Sequence, residues 1–317
     1  PEVSAYCWEY LSRYLLFTVP ILLMNNFTLY MIAAGKASLS LLCSVAGGVT
    51  NIVLDYLFIA VFRWGIGGAA VATGLGYSIT AIVGLLVFSN RNSLLHFVRP
   101  VCRPQTLGRA VTNGCSEMAT ALVNGIITLM FNWTMLKYVG EDGVAAITII
   151  SYVLAFAGSL YAGYAYGVAP MLSFYYGEQN HEKLRKLVRT SLKIIGAIAA
   201  ATVLVSLAVT EPLVSIFARP GTPVYDLAVA GNRICSLALL FVGFNIFASG
   251  MFTALSNGLI SAVLAFSRTF VFTLIAMLVL PVILGVTGIW LATPAAELAA
   301  VVLSAVMLLK YRRRYCY

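Results

Sequence analysis

Two polar residues interrupt an otherwise apolar stretch, and they stand four apart. Asn51 and Asp55 lie in the run from Leu39 to Phe62, which is long enough to cross a bilayer as a helix. At i and i+4 they share one helix face. A carboxylate at that depth costs about 2.5–3.5 kcal/mol on insertion scales unless something compensates it. Gly65, Gly67 and Gly68 then end this span and begin another, and Thr73 lies one to two turns into it. An acid, an amide and a hydroxyl can therefore converge between two adjoining helices. These are oxygen ligands of the kind a hard cation such as Na+ prefers. The same trio can equally form a hydrogen-bonded proton site. The plain structural alternative is an Asp55 satisfied by Asn51 or by backbone, serving only to hold the helix.

Other polar groups fall at membrane depth. Glu117 is eight residues beyond Arg109, about 12 Å along a helix. Glu297 precedes Lys310 by 13 residues, about 20 Å, and Arg268 follows Asn257 by 11, about 17 Å. The depths of Arg268 and Glu297 match in adjoining spans, which favours a structural ion pair over a role in handling substrate or protons. Aromatic residues are dense in one span, Tyr161 and Tyr164 among them, and their ring faces suit lipophilic cations. Packing against lipid explains such rings equally well.

These residues need a membrane scaffold to position them. The composition is 61% hydrophobic and 10% charged, against about 25% charged in soluble domains. The pattern is that of an all-α polytopic membrane protein. Nine spans are predicted, near 12–34, 39–62, 67–89, 110–137, 144–173, 187–210, 227–254, 259–283 and 286–309. Lys and Arg gather in segments 91–109, 174–193 and the tail, all on one side of this arrangement and hence cytoplasmic. The net charge of +9 is thus a topology signal, and no nucleic-acid partner is expected. The six cysteines and two histidines show no metal spacing, and no cofactor is expected.

The chain also repeats. At an offset of 220 residues Arg13 meets Arg233, Asn25 meets Asn245, Phe27 meets Phe247, Met31 meets Met251, Gly65 meets Gly285, and Ala72-Thr73 meets Ala292-Thr293. No gap is needed. Val271 and Ile275 then stand opposite Asn51 and Asp55, so the scaffold accepts apolar residues there. The expected division is 1–90, three helices of an N-terminal lobe; 91–109, a cytoplasmic linker; and 110–317, a six-helix C-terminal lobe with a basic tail. Parallel six-helix copies predict three further spans ahead of Pro1.

The segments Asn51-Ile-Val-Leu-Asp55, Trp64-Gly-Ile-Gly-Gly, Ser116-Glu117, Ala169-Pro170-Met-Leu-Ser-Phe-Tyr-Tyr-Gly177 and Gly288-Ile-Trp-Leu-Ala-Thr-Pro294 resemble the multidrug and toxic compound extrusion (MATE) transporters. The resemblance implies a twelve-helix, two-lobe fold of which this chain holds helices four to twelve. It implies a cation-coupled antiporter, driven by Na+ or H+, that exports drug-like cationic and amphipathic compounds by alternating access. It places the cation site at Asn51, Asp55 and Thr73 and an acid near Glu117, while Glu297, Arg268, Tyr161 and Tyr164 stand as substrate or proton candidates on the residue reading above. The setting is a plasma membrane, as in a bacterial inner membrane, with a monomer as the working expectation. The rival expectations are a flippase for lipid-linked saccharides and a membrane-embedded enzyme. The first wants several cations in its cleft, whereas Arg268 alone lies well inside a span. The second wants a His/Asp, His/Cys or Ser/Lys constellation, and the sequence offers none.

Overall fold

The elements that carry these residues are helices. A computed structural model of the protein describes residues 2–91, 95–99 and 104–315, without the side chains of 2–3, 33, 105–106, 109–121 and 313. Two units emerge, Pro1–Arg103 and Pro104–Tyr317.

The first unit holds α1 (Glu2–Leu15), α2 (Thr18–Ala33), α3 (Ala37–Asp55) and α4 (Gly65–Ser89). α1 and α2 form a pair bent by 60°. Pro20 explains the break, because it removes the bond to the carbonyl of Leu16 and crowds it. α4 is the hub against which α1, α2 and α3 all pack. Its buried residues are almost all small, including Gly68, Ala70, Ala72, Gly76 and Gly84. Small residues let helices in lipid approach closely, where no hydrophobic force drives them together. The ring of Phe17 lies over Gly74 and that of Phe27 over Gly84. Phe27 also packs with Met31, Cys43 and Phe88.

The second unit holds α5 (Pro104–Tyr138), α6 (Glu141–Gly177), α7 (His181–Ala208), α8 (Thr210–Phe217), α9 (Pro223–Cys235), α10 (Leu239–Ala254), α11 (Gly258–Phe266), α12 (Thr273–Leu284) and α13 (Val286–Tyr315). α10 touches α6, α7, α11 and α13 and forms the centre of this unit. One core gathers Ile150, Trp290 and Ala292, and another Leu184, Met251 and Phe252.

Two π-helical segments stand out. Tyr56–Val61 follows α3, and Ser267–Phe272 joins α11 to α12. In the first, the Phe62 amide donates to the carbonyl of Leu57, five residues back, at 2.8 Å. Asp55 immediately precedes one segment, and Arg268 is the second residue of the other. Such bulges are rare and tend to mark functional positions.

Among the described residues seven helices are long and apolar enough to cross a membrane, or eight if the bent α1–α2 pair is one span. The remaining expected span, 110–137, falls on α5, a 35-residue helix with only part of its side chains described.

The repeat is visible in the backbone, with one correction. Gly65 opens α4 and Gly285 precedes α13, at φ 60° and 59° and 220 residues apart. Gly35 and Ser256 make the equivalent turns before α3 and α11 at φ 74° and 59°, but they are 221 apart. Ser40 and Ser261, both buried, keep that spacing of 221. A gap is therefore required. At the spacing of 221 the residues opposite Asn51 and Asp55 are not Val271 and Ile275 but Phe272, which ends the π segment, and Ala276. No acid stands there either.

At Gly76 an added Cβ would lie 2.8 Å from the backbone carbonyl oxygen of Gly47, which cannot move aside independently. Gly76→Val is expected to destabilise the protein by about 1–3 kcal/mol. Gly48→Val, into open space, is expected to leave it little changed. Thermal unfolding of both variants in detergent compares them.

Candidate functional site

The first-unit site lies where α3 meets α4. Asn51 of α3 donates through Nδ2 to the Thr73 hydroxyl of α4 at 3.3 Å, and Thr73 in turn donates to the carbonyl of Ala69 at 2.9 Å. The consequence is chemical. Asn51 commits its N–H, so the atom it offers to a ligand is its carbonyl oxygen. Thr73 commits its proton, so it offers a lone pair. One turn along α3, the Asp55 Oδ1 atom is buried and has no hydrogen-bond partner among the described residues. A buried, unanswered carboxylate oxygen is costly. A bound cation or a proton removes that cost. Asn51 and Thr73 are thus brought together, whereas Asp55 stands one turn along α3, outside the lining of the adjoining cavity.

A cavity of about 370 Å3 adjoins this pair. Met24 of α2, Ser44, Gly47, Gly48 and Asn51 of α3, and Thr73, Gly76, Tyr77 and Thr80 of α4 line it. Its polar groups are neutral. Sequence reasoning missed Ser44, Tyr77 and Thr80, because hydroxyls in a span carry no marker of what they face. It also missed an ion pair on α1. Glu9 and Arg13 meet at 3.0 Å, and the Arg13 guanidinium covers Gly67 of α4. Their i,i+4 spacing was the available signal.

The second-unit site is a closed network. Arg268 Nε donates to Glu297 Oε1 at 2.8 Å, and Asn245 Nδ2 donates to Glu297 Oε2 at 2.7 Å. Asn245 also reaches the Glu297 backbone carbonyl at 3.0 Å, and its own Oδ1 accepts from Ser304 at 3.0 Å. Three segments thus converge: α10, α13 and the π segment. Glu297 is 8% exposed and Asn245 2%. Asn245 and Ser304 were not among the expected site residues; the match of Asn25 with Asn245 in the repeat was the one clue to the first.

The expected aromatic contacts separate. Tyr161 is 2% exposed. Its hydroxyl donates to the Leu239 carbonyl at 2.8 Å and lies 2.6 Å from the Thr202 hydroxyl. Its ring packs over Gly243, so no face is presented to a ligand. Tyr164 is half-buried against the core around Met251. Glu117 falls on α5, but its side chain lies outside the described ones. Cys43 and Cys235 are buried, whereas Cys7 is exposed.

Comparison with known proteins places this geometry in a family. The family model MatE matches residues 118–279, just over half of the chain. The chain belongs to the MatE family. Within curated sequences it is 22% identical, over 315 residues, to a multidrug export protein, MepA of Staphylococcus haemolyticus (strain JCSC1435), covering 99% of this chain. The chain spans between 61% and 69% of the length of such relatives. Among solved structures, an outward-facing multidrug resistance MATE transporter superposes with a TM-score of 0.83 at 24% identity, over 97% of this chain and 69% of that one. An inward-facing structure of a transporter of the same description superposes at 0.82 and 23%, over 99% and 72%. The MatE chain is accordingly a multi-pass membrane protein with the MATE fold.

The Arg268–Glu297 pair generates a stability prediction. Arg268→Leu and Glu297→Leu are each expected to cost roughly 3 kcal/mol or more, because each leaves a buried partner unanswered. The double variant is expected to recover part of the loss, with a coupling of about 1–3 kcal/mol. Unfolding of the four proteins in detergent measures it, and strictly additive losses would exclude direct coupling.

Proposed function

We propose that this chain works in a cation-coupled antiporter that exports drug-like, amphipathic or cationic compounds. The observation that carries the reading is the buried Asp55 oxygen with no partner, one turn from the Asn51–Thr73 pair. A structural carboxylate is normally answered by its own fold, as Glu297 is. An exchangeable one must be left open for a transient ligand. Family membership, and relatives named as multidrug export proteins, supply the transported class.

Coupling follows from differential stabilisation. A cation on Asp55 and a substrate elsewhere shift a transporter only if each favours a different conformation. That MATE transporters have been solved facing outward and inward, both with folds close to this one, supports alternating access as the mechanism. Na+ and H+ both suit the site: Na+ would use all three oxygens, whereas H+ needs Asp55 alone. A saccharide flippase is the weaker reading, because a pyrophosphate needs cations and the first-unit cavity has no Lys or Arg in its lining.

Asp55→Asn keeps the shape and removes the charge. In membrane vesicles bearing the native gene product, it is expected to abolish efflux driven by imposed Na+ or H+ gradients at unchanged protein level. Asn51→Ala and Thr73→Val are expected to weaken Na+-driven efflux and spare H+-driven efflux. Undiminished gradient-driven efflux by Asp55→Asn would sink the assignment.

A further inference from the structure

The two units place unlike chemistry at equivalent positions. The register is anchored on both sides of the comparison. Ser40 with Ser261, and Cys43 with Leu264, are buried pairs 221 apart on α3 and α11. Ala72 and Ala292, both fully buried, are 220 apart on α4 and α13. By that register Arg268 falls where the first unit has Gly47, next to Gly48, and Glu297 falls where it has Tyr77. Gly47, Gly48 and Tyr77 all line the first unit's cavity. Where the first unit brings α3 and α4 to backbone contact at the edge of a cavity, the second holds an ion pair.

The carboxylate of that pair is arranged as a receptor. Asn245 holds Oε2 from one side, and Asn245 is itself held by Ser304 and by the Glu297 carbonyl. These contacts orient the carboxylate without neutralising it. The remaining oxygen, Oε1, takes the guanidinium. The charge on that guanidinium is supplied from a π segment, not from the body of a regular helix. Its side chain keeps a quarter of its surface exposed, whereas that of Glu297 keeps 11%. The carboxylate is thus the buried wall, and the guanidinium is the group that enters from the more open side.

We propose that the Glu297–Asn245–Ser304 pocket is an organic-cation site whose occupant is built into the chain, the guanidinium of Arg268. Its ligand class is a planar monovalent cation of the guanidinium type. A tethered group competes at an effective concentration in the millimolar range or above, so a free cation does not displace it at ordinary levels. The proposal concerns binding within the second unit alone and does not depend on the transport reading.

The test is chemical rescue, with the native gene product purified in detergent and low-millimolar guanidinium chloride as the probe. Arg268→Gly is expected to unfold at a lower temperature than the parent. Guanidinium is expected to raise that temperature saturably by several degrees, where equal sodium chloride or tetramethylammonium chloride does not. The parent and the Arg268→Gly/Glu297→Gln double variant are expected to show no such rise. No rescue, equal rescue by sodium, or rescue of the double variant would overturn the proposal. If Arg268→Gly yields no folded protein with or without guanidinium, Arg268→Lys and Arg268→Gln decide. A folded Lys variant beside a lost Gln variant supports a cation requirement, and equal behaviour of the two overturns it.

Discussion

An ionised side chain held away from water must be answered by something, and in a bilayer the solvent cannot do it. This constraint divides the chain. In the second unit the answer is internal: Glu297 receives a guanidinium and an amide, and the amide is fixed by a hydroxyl. In the first unit no described residue supplies a partner to the buried Oδ1 of Asp55. A protein selected only for stability would close such a position with a donor or replace the acid. An acid kept open beside two oxygen-bearing neighbours is suited to a ligand that comes and goes.

The backbone around both positions departs from the regular α-helix. Asp55 and Arg268 each stand at the start of a π segment. A π turn carries one extra residue, so it re-aims the side chains that follow. It also loosens the hydrogen-bond ladder locally. Charge and irregular backbone thus coincide, which is how helices in membranes accommodate groups that a smooth apolar cylinder cannot.

α4 shows the opposite economy. It is lined with Gly and Ala, and Gly47 and Gly76 bring α3 and α4 together to backbone distance. That approach puts Asn51 within a hydrogen bond of Thr73. In the second unit α13 carries the buried Ala296 at the position of Gly76. Its neighbour is the π segment with its arginine, and a salt bridge replaces the backbone contact. The two copies share a path for the chain and differ in what they do with the space between helices.

The sequence by itself determined the helical membrane architecture, because long apolar runs and the charges between them are local properties. It determined that Asn51 and Asp55 share a face and that Thr73 lies in the next helix, because a 3.6-residue period and a glycine break are also local. Matched depths were enough to put Arg268 and Glu297 within reach of each other. The repeat was legible too, although not the extra residue that moves Gly35 and Ser256 to a spacing of 221. Sparse identities cannot register a one-residue shift inside a uniform apolar span. Tertiary structure alone decided the rest. It buried Tyr161, although its sequence context matched that of the exposed Tyr166 nearby. It brought Asn245 to Glu297 across 52 residues of chain, and Ser304 to Asn245 across 59. It left Oδ1 of Asp55 without a donor among the described residues. Each of these depends on which helix faces which, and in a chain that is apolar on almost every face, only the packing of small residues against rings and of donors against acceptors makes that choice.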